Sequence, residues 1–177
     1  MQQRWWVVET GSFNWWLQPQ RQKISKQILE RERHVMGKQI QDVYKYLNKK
    51  NVLRYECVRY EDKSFAYRRP NPDNEGEYLW NLNGIKKIPY RLPDFLNKET
   101  VFIVKGEKDV DNLWRGGLPA TCNPMGAGKW RPEYNKFFTG KNVVIIPDDD
   151  NAGWVHAQQV AVSLYESELY KSIKIIV

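Results

Sequence analysis

Three consecutive aspartates, Asp148, Asp149 and Asp150, follow the apolar run Val143–Ile146. Carboxylates at i and i+2 just past a strand can turn to one side and share a hard divalent cation. Mg²⁺ or Mn²⁺ suits such a pair, taking oxygen ligands while keeping phosphates and waters. Without a cation, adjacent acids repel one another. The same residues also suit a helix start, with Asp150 or Asn151 as N-cap and acidic charge favoured by the helix dipole. A second apolar run, Val101–Val104, ends in Lys105-Gly106-Glu107-Lys108-Asp109. Ligands of open parallel sheets gather outside the carboxyl ends of the strands. Two charged strand ends together favour a metal site over a simple cap.

The elements that must position these residues are legible in the pattern. Val101–Val104 and Val143–Ile146 are continuous apolar runs, the mark of strands buried on both faces of a parallel sheet. Helices are predicted over Lys108–Arg115, Pro132–Phe138 and Ala152–Tyr170. In the last of these, Ala157, Val160, Ala161 and Leu164 recur at i, i+3, i+4 and i+7. Leu118–Thr121 and Ser172–Val177 supply two more strands, and the βαβαβαβ alternation predicts a four-stranded parallel sheet with right-handed crossovers. Upstream, Val43–Leu47, Val52–Tyr60, Ser64–Arg69 and Glu77–Asn83 are short runs punctuated by turn residues, which reads as an antiparallel meander. Pro89 and Pro93 bracket a connector with a helical turn at Asp94–Asn97. Ile24–Gly37 reads as an exposed charged helix, and residues 1–23 are polar and Trp-rich with no period. The expected fold class is α+β: an N-terminal helix and antiparallel β meander, then an α/β domain with a parallel four-stranded sheet. The expected divisions are 1–40, a basic Trp-rich arm and helix; 41–98, the meander; and 99–177, the α/β domain.

The net charge of +7 is uneven: residues 1–50 hold ten Lys and Arg against four Asp and Glu, whereas the rest is nearly balanced. Basic residues interleaved with aromatics (Trp5, Trp6, Trp15, Trp16, Arg21, Lys23, Lys26) suit an anionic partner, nucleic acid being the commonest. A solvated helix face accounts for the charge equally well. No run approaches the roughly 18 apolar residues of a membrane helix, and no signal-peptide core is present, which predicts a cytoplasmic protein without a membrane partner. Cys57 and Cys122 lack metal-ligand spacing. Met125-Gly126-Ala127-Gly128-Lys129-Trp130 superficially suggests a phosphate-binding P-loop, but the first glycine and the closing Ser or Thr of that motif are missing. Its glycines can still offer N–H groups to a phosphate, with Lys129 and Arg131 adding charge. Lys86, Lys87 and Arg91, with Arg68 and Arg69, are candidates to extend a basic track along the meander. His34 and His156 read as structural or surface residues.

The strings VFIVKGEKDVDNL, LPATCNPMGAGKWRPEY and NVVIIPDDDNAGWVHAQQVA resemble the TOPRIM domains of phage and plasmid primases. TOPRIM is also the catalytic domain of bacterial primases, topoisomerases and some nucleases. The resemblance covers 101–177 and extends back through ECVRYEDKSFAYRRP, YLWNLNG and IPYRLPDFL. It implies that Asp148 and Asp150 are the paired metal-binding aspartates and that Asp109 is the second acid of the first motif. It also makes Gly106 and Gly153 the motif glycines. Asp148 and Asp109 are thereby implied in catalysis, with Mg²⁺ or Mn²⁺ as cofactor and Mg²⁺-dependent nucleotidyl transfer as the activity. The implied partners are nucleic acid, DNA in preference to RNA, and a helicase or other replication protein. One position departs: Lys105 stands where the family has a glutamate that binds metal or acts as general acid/base, a swing of two charge units. Loss of nucleotidyl transfer ranks above rescue by Glu107, since sequences of this type already carry an acid there in another role. The competing expectation is a non-catalytic TOPRIM-derived module of a phage or mobile element acting on nucleic acid or a host protein. A haloacid-type phosphatase is disfavoured, because its Asp-x-Asp-Gly-Thr motif belongs on the first strand.

Overall fold

The computed structural model describes residues 37–176. The Trp-rich arm and most of the helix expected over Ile24–Gly37 lie outside the described residues. The first four strands are β1 (Ile40–Leu47), β2 (Leu53–Tyr60), β3 (Phe65–Pro70) and β4 (Tyr78–Leu79), paired antiparallel in chain order. This is the expected meander, and its turns are made by the residues that signalled them. Asn48 accepts the N–H groups of Lys50 and Val52 on its side chain, at 2.8 and 3.1 Å. Asn51 then takes the left-handed conformation, φ 59°, which asparagine tolerates better than most residues.

A connector follows, with the short helix α1 (Leu92–Phe95). Then come β5 (Thr100–Ile103), α2 (Glu107–Arg115), β6 (Ala120–Thr121), a 3₁₀ turn at Pro132–Phe137, β7 (Asn142–Ile145), α3 (Asn151–Ser167) and β8 (Ser172–Ile175). These four strands form a separate parallel sheet in the order β6-β5-β7-β8. The overall class is α+β, as the sequence pattern predicted.

Several elements differ from expectation: the strand expected over Glu77–Asn83 is confined to Tyr78–Leu79, that over Leu118–Thr121 to Ala120–Thr121, and the helical turn expected at Asp94–Asn97 lies at Leu92–Phe95. The helix predicted over Pro132–Phe138 closes into a 3₁₀ turn instead. Its Asn135 side chain donates to the Ser163 carbonyl at 2.7 Å and accepts from the Trp130 indole at 3.0 Å, anchoring a short segment in which Tyr134, Asn135 and Phe137 are all buried. Such short runs suit the tighter 3₁₀ geometry. The last helix stops at Ser167 rather than Tyr170, because Glu168 turns left-handed (φ 52°) and its N–H caps the Tyr165 carbonyl.

One hydrophobic core joins meander and parallel sheet. The inner face of the meander contributes Tyr44, Tyr46, Tyr55 and Cys57, with Tyr46 and Tyr55 stacked at 4.4 Å between centroids. The connector locks on by polar contacts: the Tyr55 hydroxyl donates to the Ile88 carbonyl at 3.0 Å, and Thr121 donates to the Tyr90 carbonyl at 2.7 Å. The most consequential tie is between Tyr46 on β1 and Glu107 at the start of α2. The phenol donates to the Glu107 carboxylate at 2.8 Å inside the core, where Glu107 is only 8% exposed. Burial pushes the Tyr46 hydroxyl and the Cys57 thiol well up from their ordinary values, with the Glu107 charge adding to the shift, so both stay protonated.

Removing this donor leaves a buried carboxylate short of one hydrogen bond, at a cost of about 1–3 kcal/mol. Tyr46→Phe is therefore expected to lower unfolding stability by that amount in urea titrations, out of proportion to the loss of one oxygen; an unchanged midpoint would contradict the tie.

Candidate functional site

The chain leaves β5 toward β6 on one side and leaves β7 toward β8 on the other. The crevice between the carboxyl ends of β5 and β7 is therefore the sheet's topological switch point, where open α/β sheets bind ligands. Both charged segments singled out in the sequence emerge there.

Lys105 follows β5, and its ammonium donates to Asp148 Oδ2 at 2.5 Å and to Asp150 Oδ2 at 3.5 Å. The three side chains are 39%, 40% and 52% exposed. The hydrogen bond to Asp148 raises the Lys105 pKa, so the ammonium keeps its proton. Asp150 serves two ends at once: its Oδ1 accepts the Gly153 N–H at 2.6 Å as the N-cap of α3, while Oδ2 faces Lys105. That N–H bond is the first cause holding the Asp150 carboxyl below the usual range, with Lys105 helping. The cap and the acid pair, set as alternatives by the sequence pattern, are thus parts of one arrangement. Asp149 is exposed.

Gly153 is fixed by space. A Cβ there would lie 2.6 Å from the Asp148 carbonyl oxygen and 2.8 Å from its nitrogen, both backbone atoms. Gly106, by contrast, has an extended backbone (φ −138°) and room for a side chain beside Asp109, so its conformation does not demand glycine.

Asp109 is exposed on the first turn of α2. Among the described residues no group of three or more His, Cys, Asp or Glu is placed to hold one metal ion. Asp109 is thus not gathered with Asp148 and Asp150 into a common ligand set. Glu107 is committed to Tyr46 in the core, so its carboxylate is not offered to the crevice beside Asp148 and Asp150. The donor chemistry of Asp148 and Asp150 is that of a hard cation site, but the cation the pair faces is the Lys105 ammonium.

Beside this crevice lies the Pro124–Lys129 loop. His156 on α3 lines the same crevice as Lys105, Asp148 and Gly153. It accepts the Gly128 N–H on Nδ1 at 3.0 Å and meets Asn123 Oδ1 with Nε2 at 3.0 Å. Burial lowers its pKa, which favours the neutral ring. Tyr67 on β3 accepts the Met125 N–H at 2.8 Å. Two of the loop's N–H groups are therefore already used inside the protein. Trp130 is packed against Tyr134 and Phe138. The sequence held His156 to be structural or surface; it is structural, but its hold on the loop had no sequence signal.

Of the basic candidates, Arg91 is already committed. It pairs with Asp111 at 2.7 Å and Asp94 at 3.2 Å. Desolvation works against its charge, but Asp111 outweighs this and raises its pKa. Arg68 is likewise bound to the buried Glu56 at 2.6 Å and lies over Tyr78. Lys86, Lys129 and Arg131 are exposed and Lys87 half-buried, and none forms an ion pair with a described residue.

No protein-family model matches the chain, and no curated protein matches it at a significant level. Solved structures share its fold, two primases among them. The primase fragment of the bacteriophage T7 primase-helicase protein aligns at TM-score 0.58 and 17% identity, over 76% of this chain and 52% of that one. The E. coli primase catalytic core aligns at TM-score 0.54 and 16% identity, over 76% and 44%. The chain spans about half the length of these structures. The α+β arrangement of this chain matches about half of each of these primase structures.

Gly153→Ala forces a methyl group into the Asp148 backbone. Overpacking of this kind costs about 1–3 kcal/mol and would shift Asp148 from Lys105. Thermal unfolding should show the loss, while Gly106→Ala should cost less than Gly153→Ala. Equal effects at the two glycines would contradict the steric account.

Proposed function

We propose that this chain is a nucleic-acid-binding protein of the TOPRIM, primase-like type in which Mg²⁺-dependent nucleotidyl transfer is impaired at Lys105. The observation that carries the reading is the ammonium between Asp148 and Asp150 at the switch point of a primase-core fold. Asp148 and Asp150 are the residues that would hold Mg²⁺ or Mn²⁺, an ion that would supply charge neutralisation for a phosphate. Asp109 stands at the neighbouring strand end as the further acid. With lysine at position 105, a cation replaces a carboxylate, and no general base or oxygen ligand is left there. An ion pair this exposed adds little to stability; its weight lies in what it keeps out of the acid pair.

Single-stranded DNA is the preferred ligand, gripped through phosphate contacts by Lys86, Lys87, Lys129 and Arg131. Arg91 is the weakest of the candidates because Asp111 holds it. A helicase or other replication protein is the fitting partner, since one of the structures of like fold comes from a primase-helicase protein. A role as a regulatory module that acts on a host protein is the alternative, favoured by the same lysine if DNA is not bound.

On a single-stranded template with Mg²⁺ or Mn²⁺, the protein is expected to make no primers, and Lys105→Glu to restore synthesis. Gel-shift affinity for DNA should fall steeply with salt and persist in Asp148→Asn/Asp150→Asn. Vigorous primer synthesis by the protein as it stands would overturn the impairment, and absence of DNA binding at low salt would leave the regulatory reading.

A further inference from the structure

The Pro124–Lys129 loop is held more firmly than a connection requires. Three side chains fix it: Tyr67 of β3 at Met125, His156 of α3 at Gly128, and Asn123, the residue just before the loop, at Pro124 and Gly126. The Asn123 amide donates to the carbonyls of Pro124 at 3.1 Å and Gly126 at 2.7 Å. Asn123 and His156 are both buried, so the polar groups spent on the loop are taken from the core. The loop also carries strain: Met125, a non-glycine residue, has φ 71°, although its side chain is 44% exposed and gains little from packing. A left-handed conformation is unfavourable for a non-glycine residue, and it persists only where neighbours over-determine it. The held segment ends in Lys129, an exposed ammonium without an ion pair among the described residues.

The proton positions follow from one unambiguous donor. The Gly128 N–H can only donate, so Nδ1 of His156 must accept, and in the neutral ring the proton sits on Nε2. Nε2 then donates to Asn123 Oδ1, which turns the Asn123 amide nitrogen toward the two loop carbonyls, as observed. Each bond in the chain Gly128–His156–Asn123–Gly126 fixes the direction of the next.

We propose that His156 is a positioning residue for DNA binding, holding the Pro124–Lys129 loop so that Lys129 meets a backbone phosphate beside the Asp148–Asp150 edge. This rests on the nucleic-acid reading above, and it names a residue that acts through Lys129 without touching the ligand. Substitution by asparagine keeps an acceptor near the place of Nδ1, whereas leucine fills the space and offers none.

The test is fluorescence anisotropy with a labelled single-stranded oligothymidylate, using the full chain and five proteins: the unchanged sequence, Lys129→Ala, His156→Leu, the double variant, and His156→Asn. Lys129→Ala and His156→Leu should each weaken binding by about three- to tenfold, and each should reduce the salt slope by about one. The double variant should bind no more weakly than Lys129→Ala alone, because both changes remove one contact. His156→Asn should recover most of the affinity lost in His156→Leu, and Gly128 amide exchange should be fast in the leucine variant and slow in the asparagine one. If the leucine variant does not fold, His156→Gln replaces it, since glutamine can reach Asn123 without presenting an acceptor at Gly128. Additive losses in the double variant, no rescue by asparagine, or unchanged affinity in Lys129→Ala would each overturn the positioning role while leaving DNA binding intact. Failure of the unchanged protein to bind the oligothymidylate would overturn the functional reading and this proposal with it.

Discussion

Two neighbouring strands of the parallel sheet deliver opposite charges to the same edge. Lys105 follows β5, Asp148 follows β7, and Asp150 caps α3; one ammonium reaches both carboxylates. The requirement behind this contact is charge balance where three acids stand in succession at the start of a helix. Asp150 offsets part of that charge by capping α3, and Gly153 makes the close approach of helix and strand end possible. Lys105 offsets more. A divalent metal would meet the same need with more charge and with open coordination positions. A lysine meets it with neither.

The meander bears on the same edge through Glu107. This residue lies two positions after Lys105, yet its carboxylate is in the core against Tyr46. The first turn of α2 is therefore anchored to β1, which leaves Lys105 as the side chain of that segment turned to the acid pair. The anchor fixes the roles of the two residues: one positions the strand end, and the other supplies its charge.

Much of this was legible in the sequence because apolar runs and turn residues speak directly to backbone. Val101–Val104 and Val143–Ile146 read as inner strands, and the parallel pairing of β5 with β7 brings the charged segments that follow them to one sheet edge. Lys105 stood out because it broke a pattern that the surrounding residues kept. Contacts between distant side chains left no such mark. Nothing in the local sequence links Tyr46 to Glu107, sixty-one residues apart, or His156 to Gly128. The commitment of Arg91 to Asp111 was equally hidden, since a basic residue reads the same in sequence whether its charge is free or spent. The 3₁₀ turn at Pro132–Phe137 was misread as a regular helix because its shape is imposed by Asn135 reaching across to α3.

The central claim is that Lys105 is the cation of the acid pair. Anomalous diffraction from crystals of the unchanged protein soaked in Mn²⁺ tests it most directly. The account predicts no manganese peak between Asp148 and Asp150, with the Lys105 ammonium in contact with Asp148, and a peak at that position in crystals of Lys105→Ala. A fully occupied manganese site in the unchanged protein, with Lys105 swung away from both carboxylates, would contradict it.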